Sequence, residues 1–98
     1  MTDKKAGEVK LEIKLDEDIA QGVYANLTVV NHNQSEFVID FIFIQPQSTQ
    51  AKVRSRVVTS PRHVKRLIQV LADNLNVYEN NFGPVDPDEN RTESAEYH

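Results

Sequence analysis

Glu36-Phe37-Val38-Ile39-Asp40-Phe41-Ile42-Phe43-Ile44 is the stretch on which the reading of this chain turns. It is apolar on both parities, with a single carboxylate, Asp40, in its middle. A strand with one wet face alternates apolar and polar residues. One that is apolar throughout buries both faces and belongs at the centre of a sheet. Its second apolar surface implies a partner.

Upstream, Val9, Leu11, Ile13 and Leu15 alternate with Lys10, Glu12, Lys14 and Asp16, the period of a half-buried strand. The acidic connection from Asp16 to Gly22 leads to a second run, Val23 to Asn31. Asn31-His32-Asn33-Gln34-Ser35 is a polar cluster suited to a hairpin loop. Downstream, the segment Gln45 to Gln50, with Pro46 as a breaker, ends the central strand. Ala51 to Thr59 then alternates Val53, Ser55 and Val57 against Arg54, Arg56 and Val58. Four strands with short turns read as an antiparallel meander.

Ser60 is placed to cap a helix and Pro61 to open it, where a missing N–H costs nothing. Val64, Leu67, Ile68, Leu71, Ala72, Leu75, Tyr78 and Phe82 recur at helical spacing, and Gly83-Pro84 is a stop signal. The predicted helix runs about 22 residues, or ~33 Å. Val70 and Val77 fall off the main stripe and suit contact with a second subunit. The expected organisation is a disordered arm at residues 1–8, one domain at 9–84, and an acidic disordered tail at 85–98.

Opposed residues of an antiparallel pair share a face, so the hairpins can be aligned. Centring the second turn near Ser48 sets Phe43 opposite Val53, Ile42 opposite Arg54, Phe41 opposite Ser55, Asp40 opposite Arg56 and Ile39 opposite Val57. Centring the first near Asn33 pairs Val29 with Phe37, Leu27 with Ile39, Ala25 with Phe41 and Asn26 with Asp40. One face, built on Phe37, Ile39, Phe41 and Phe43, is then continuous and available to the helix. The other carries Tyr24, Thr28, Val30, Val38, Ile42, Ile44 and Val58, crossed by a polar row that includes Asp40 and Arg56. So many branched aliphatics on a second face mark an interface. Tyr24, Val38, Asp40, Ile42, Ile44, Arg56 and Val58 are its expected residues.

The chain has 98 residues and no cysteine, which excludes disulfides, thiolate metal sites and cysteine nucleophiles. A domain of this size buries only roughly 60% of its unfolded surface, so oligomerisation is an expected source of stability. The polar N-terminus and the lack of a long apolar run predict neither a secretory signal nor a membrane span. A cytoplasmic setting is therefore expected. Fifteen acids against eleven basic residues give a net charge of −4, which disfavours a general nucleic-acid binder. Lys52, Arg54, Arg56, Arg62, Lys65 and Arg66 nevertheless form an acid-free basic stretch over residues 52–66.

Asp40 with Arg56 could be a general acid or base, but no second carboxylate or histidine stands at a defined spacing. A cross-strand ion pair that holds the register is the simpler reading. Arg62, His63, Lys65 and Arg66 surround a helix N-terminus, where cations and backbone N–H groups could hold an anion. Against that, they lack the glycines of a phosphate loop and suit a solvated basic turn equally well. His32, His63 and His98 lack ligand spacing, so no metal or cofactor is expected.

Gly22-Val23-Tyr24-Ala25-Asn26, Glu36-Phe37-Val38-Ile39-Asp40-Phe41, the run from Arg54 to His63, and Tyr78-Glu79-Asn80-Asn81-Phe82-Gly83 together resemble a family of short bacterial proteins catalogued as a domain of unknown function. The resemblance covers about residues 9–84 and implies domain limits and a bacterial origin, with no known chemistry. In topology alone, four antiparallel strands followed by a long helix are similar to the SecB family of export chaperones, which assemble as dimers of dimers and bind unfolded chains. The sequence thus predicts an α+β homodimer, a four-stranded meander with one long C-terminal helix packed on one sheet face. Its expected role is that of a non-enzymatic protein-interaction or scaffold module with chaperone-like binding through the second face. The alternative is an anion or nucleic-acid binder that uses residues 52–66.

Overall fold

The computed structural model describes residues 10–88. Its elements run in the order α1 (Glu17–Ala20), β1 (Leu27–His32), β2 (Phe37–Ile44), β3 (Ala51–Thr59) and α2 (Pro61–Phe82). The three strands form one antiparallel sheet with β2 at its centre, as the doubly apolar sequence of β2 requires. Ile39 and Ile42, on opposite parities of β2, are the buried apolar residues, with Asp40 buried between them. The expected arm at 1–8 and the tail beyond Asp88 lie outside the described residues.

The expected first strand is absent from the described residues. Lys10 to Asp16 has no regular structure, and Leu11, Ile13 and Leu15 are 86%, 86% and 69% exposed. Alternation records which residues would share a face but does not itself supply the pairing: the outer edges of β1 and β3 are both unpaired among the described residues. The acids after Leu15 form a single helical turn instead. The N–H groups of Ile19 and Ala20 donate to the Asp16 carbonyl at 3.1 and 2.8 Å, and Glu17 and Asp18 complement the positive end of the turn.

The first hairpin also departs from the expected register. Leu27 pairs with Ile42, Val29 with Asp40, Val30 with Ile39 and His32 with Phe37. The cause lies in the turn. Asn33 opens it rather than standing at its apex, its Oδ1 accepting from the N–H groups of Ser35 and Glu36, both at 2.8 Å. That is an odd shift, and an odd shift exchanges faces. Leu27 and Val29 join Asp40 and Ile42, whereas Thr28 and Val30 join Phe41 and Ile39.

The second hairpin keeps the expected register from Phe37↔Thr59 to Phe41↔Ser55, including Asp40↔Arg56. Beyond Phe41 an irregularity makes Arg54 the extra residue, so Ile42 faces Val53 and Phe43 faces Lys52. The bulge keeps Val53 on the apolar face of Ile42, where an unbroken register would have set Arg54.

Helix α2 spans 22 residues, capped by the Ser60 hydroxyl, which accepts from the His63 N–H at 3.1 Å. It closes at Gly83, whose φ of 97° is one that residues with a Cβ rarely adopt and whose N–H donates to the Glu79 carbonyl at 2.8 Å. The helix does not pack down on a sheet face. Its contact with the sheet is sparse, and none of its residues is buried. Helical periodicity specifies that an apolar stripe exists, not which surface it meets.

Candidate functional site

Asp40 is 6% exposed in the middle of β2, and Arg56 reaches it from β3. Arg56 Nε donates to Oδ1 at 2.7 Å and Nη2 to Oδ2 at 2.9 Å, a bidentate fork. These hydrogen bonds hold the Asp40 carboxyl below its ordinary value and outweigh the opposing effect of burial; the guanidinium charge adds to the lowering. The same contacts raise Arg56. A carboxylate held this firmly as an anion has both oxygens engaged and is poorly suited to proton transfer. The pair joins two strands.

A second polar device escaped the sequence reading. Asn26 precedes β1, donates its backbone N–H to the Ile42 carbonyl at 2.9 Å, and then clasps Ile44. Its Nδ2 donates to the Ile44 carbonyl at 3.0 Å while its Oδ1 accepts from the Ile44 N–H at 2.9 Å. The side-chain amide thus continues the ladder as another strand residue would. Only the true register reveals it, because the expected one set Asn26 against Asp40.

Of the expected interface residues, Val38, Asp40, Ile42, Ile44, Arg56 and Val58 share one face by register, joined by Leu27, Val29 and Val53. Tyr24 does not belong with them. Its ring meets that of Phe43, on the opposite parity of β2, edge-on at 6.0 Å. Ile42 is already covered within the protomer, whereas Val53 and Val58 are 53% and 52% exposed.

The basic stretch does not form one surface. Lys52 and Arg54 stand at the start of β3, Arg56 is committed to Asp40, and Arg62, His63, Lys65 and Arg66 lie beyond the far end of the strand. Thr59 is seven residues beyond Lys52 along the strand, ~23 Å at the usual rise. At the helix N-terminus, Pro61 has no N–H, His63 donates to Ser60 Oγ, and Val64 donates to the Ser60 carbonyl at 3.0 Å. Little of the usual anion-binding backbone is therefore uncommitted.

Two clefts border β3. One of about 340 Å³ is lined by Asp18, Ile19, Gly22, Val23, Arg54 and Ser55, and one of about 90 Å³ by Phe43, Gln45, Ser48, Gln50, Lys52 and Arg54. Both are open, and neither brings together an acid–base pair. Among the described residues no group of histidines, cysteines and acids is arranged to hold a metal. No helix there is long and apolar enough to cross a membrane.

These features define a small α+β protein with a sheet, a long helix and a structural ion pair. The chain belongs to the family described as proteins of unknown function, DUF3467, whose model matches residues 1–87. No curated protein and no solved structure matches it.

Proposed function

We propose that this protein is a non-enzymatic homodimeric interaction or scaffold module of the bacterial cytoplasm. The observation that carries this reading is the scarcity of burial in one protomer. Ile39 and Ile42 are its buried apolar residues, while Ile68, Leu71, Leu75, Tyr78 and Phe82 of α2 are between 49% and 75% exposed. Exposure on that scale is the mark of a surface meant for another chain. Self-association supplies the core, and the face that carries Val38, Ile44, Val53 and Val58 serves as the platform for a protein ligand with chaperone-like breadth. The likeness to SecB is weaker than the sequence suggested, because the sheet has three strands.

Light scattering tests the assembly: a dimer is expected, and a stable, soluble monomer would overturn the reading. Ile42→Glu is a poor probe of the platform, since that side chain is 8% exposed and the charge would unfold the sheet. Val58→Lys, at a half-exposed position, should leave the fold intact and reduce capture of an unfolded client. Unchanged capture would remove this face from the proposal.

The second reading, anion or nucleic-acid binding, draws on the acid-free first turn of α2 with Arg62, His63, Lys65 and Arg66 exposed. It predicts binding that weakens steeply with salt and falls in an Arg62→Ala/Arg66→Ala variant. No binding at low salt ends it.

A further inference from the structure

Within the stripe of α2, Val64, Ile68, Leu71, Leu75, Tyr78 and Phe82 follow one another at alternating intervals of four and three. That is the spacing of a heptad seam, about two and a half repeats long. Apart from half-buried Val64, these side chains are largely open, and the rings of Tyr78 and Phe82 meet at 4.9 Å along the seam. The charges on α2 are also inverted with respect to its own dipole. Its first turn holds no acid and its last turn no base, while Arg62, Lys65 and Arg66 crowd the positive end.

We propose that the occupant of this seam is α2 of a second copy, running antiparallel. The proposal rests on the homodimer reading and adds its interface and direction. Antiparallel packing sets Val64 against Phe82 of the second copy, Ile68 against Tyr78 and Leu71 against Leu75. Each aromatic residue at one end then meets a smaller branched one at the other. A parallel pair would instead set Phe82 on Phe82 and Tyr78 on Tyr78. It would also bring both basic N-termini and both positive dipole ends together.

Charge supplies an independent argument. Lys65, Ala72 and Glu79 flank the seam at intervals of seven on one side. In the antiparallel register Ala72 faces its own copy, and Lys65 faces Glu79 of the other chain, twice per dimer. One Glu79 oxygen accepts from the Val85 N–H at 2.8 Å, which fixes the carboxylate at the end of the helix and leaves its second oxygen for the lysine. The misplaced cations of each helix thereby come to lie against the negative end of its neighbour.

The absence of native cysteine makes the test direct. Full-length Val64→Cys and Phe82→Cys proteins are oxidised gently, each alone and then mixed, while light scattering follows the unmodified chain. The expected result is a disulfide-linked pair containing one of each variant, from the mixture only. Cross-linking of each variant with itself shows a parallel seam and overturns the direction. A dimer with no cross-link in any sample overturns the seam but keeps the homodimer. A monomer overturns both. Lys65→Glu should loosen the dimer about 2- to 10-fold through its two lost pairs, and adding Glu79→Lys should restore it. A dimer unchanged or tightened by Lys65→Glu, or not restored by the added Glu79→Lys, would overturn the charge pairing.

Discussion

Asp40 brings a charge into the most apolar strand of the molecule, and Arg56, with its side chain 62% exposed, keeps that charge hydrated at one end. The sign of the pH effect follows from the direction of the shift. A carboxyl whose folded-state value lies below its ordinary 3.8 contributes stability that is fully present above that value. The contribution is lost as pH falls through the lower, folded value. The melting temperature should therefore drop on acidification below about pH 4, and Asp40→Asn should flatten that part of the profile. Equal slopes in the two proteins would mean that other carboxylates govern acid unfolding. Asn26 makes a second prediction at this scale. Asn26→Ala removes both bonds to Ile44 and should cost about 1–2 kcal/mol in urea unfolding. Asn26→Asp keeps the acceptor but sets an oxygen against the Ile44 carbonyl, and should cost at least as much as alanine.

At the scale of elements, the chain is most legible where local chemistry acts alone. Ser60 and Pro61 open α2 and Gly83 closes it, because caps depend on the residues that carry them. The second hairpin was readable from Phe37 to Phe41, where centring the turn near Ser48 brings Asp40 to Arg56, but not beyond, because alternation carries no mark of the bulge at Arg54. The first was not, because the run from Val23 to Asn31 carries apolar residues on both parities and tolerates either face inward. A single Asn side chain, bonding to Ser35 and Glu36, decided between them. The ion pair was legible for the same reason as its hairpin, and the Asn26 clasp was hidden by the mistaken one. Two substitutions test the helix ends by far-UV circular dichroism. Ser60→Ala should cost about 1 kcal/mol through the lost cap. Gly83→Ala meets nothing within 4 Å, so its penalty, about 1–3 kcal/mol, comes from backbone conformation alone. A neutral Gly83→Ala would show that the helix end relaxes out of this geometry.

At the scale of the molecule, the protomer measures 57 × 33 × 33 Å, with a radius of gyration of 17.5 Å. A compact domain of about 100 residues has a radius near 13 Å. The difference agrees with a helix that stands away from its sheet, and it turns Leu71 into a decisive residue. In one protomer Leu71 is 60% exposed, so a charge there should be nearly silent, within about 0.5 kcal/mol. In the antiparallel pair Leu71 lies beside the two-fold axis, packed on Leu75 of the second copy, and a glutamate would be buried twice. Leu71→Glu should then dissociate the dimer and lower the melting temperature. The unmodified protein should melt at higher temperature as its concentration rises, because assembly and folding are linked by mass action. The variant should lose that concentration dependence. A silent Leu71→Glu, with a melting temperature indifferent to concentration in both proteins, would leave α2 as an isolated solvated helix and remove the seam from the assembly.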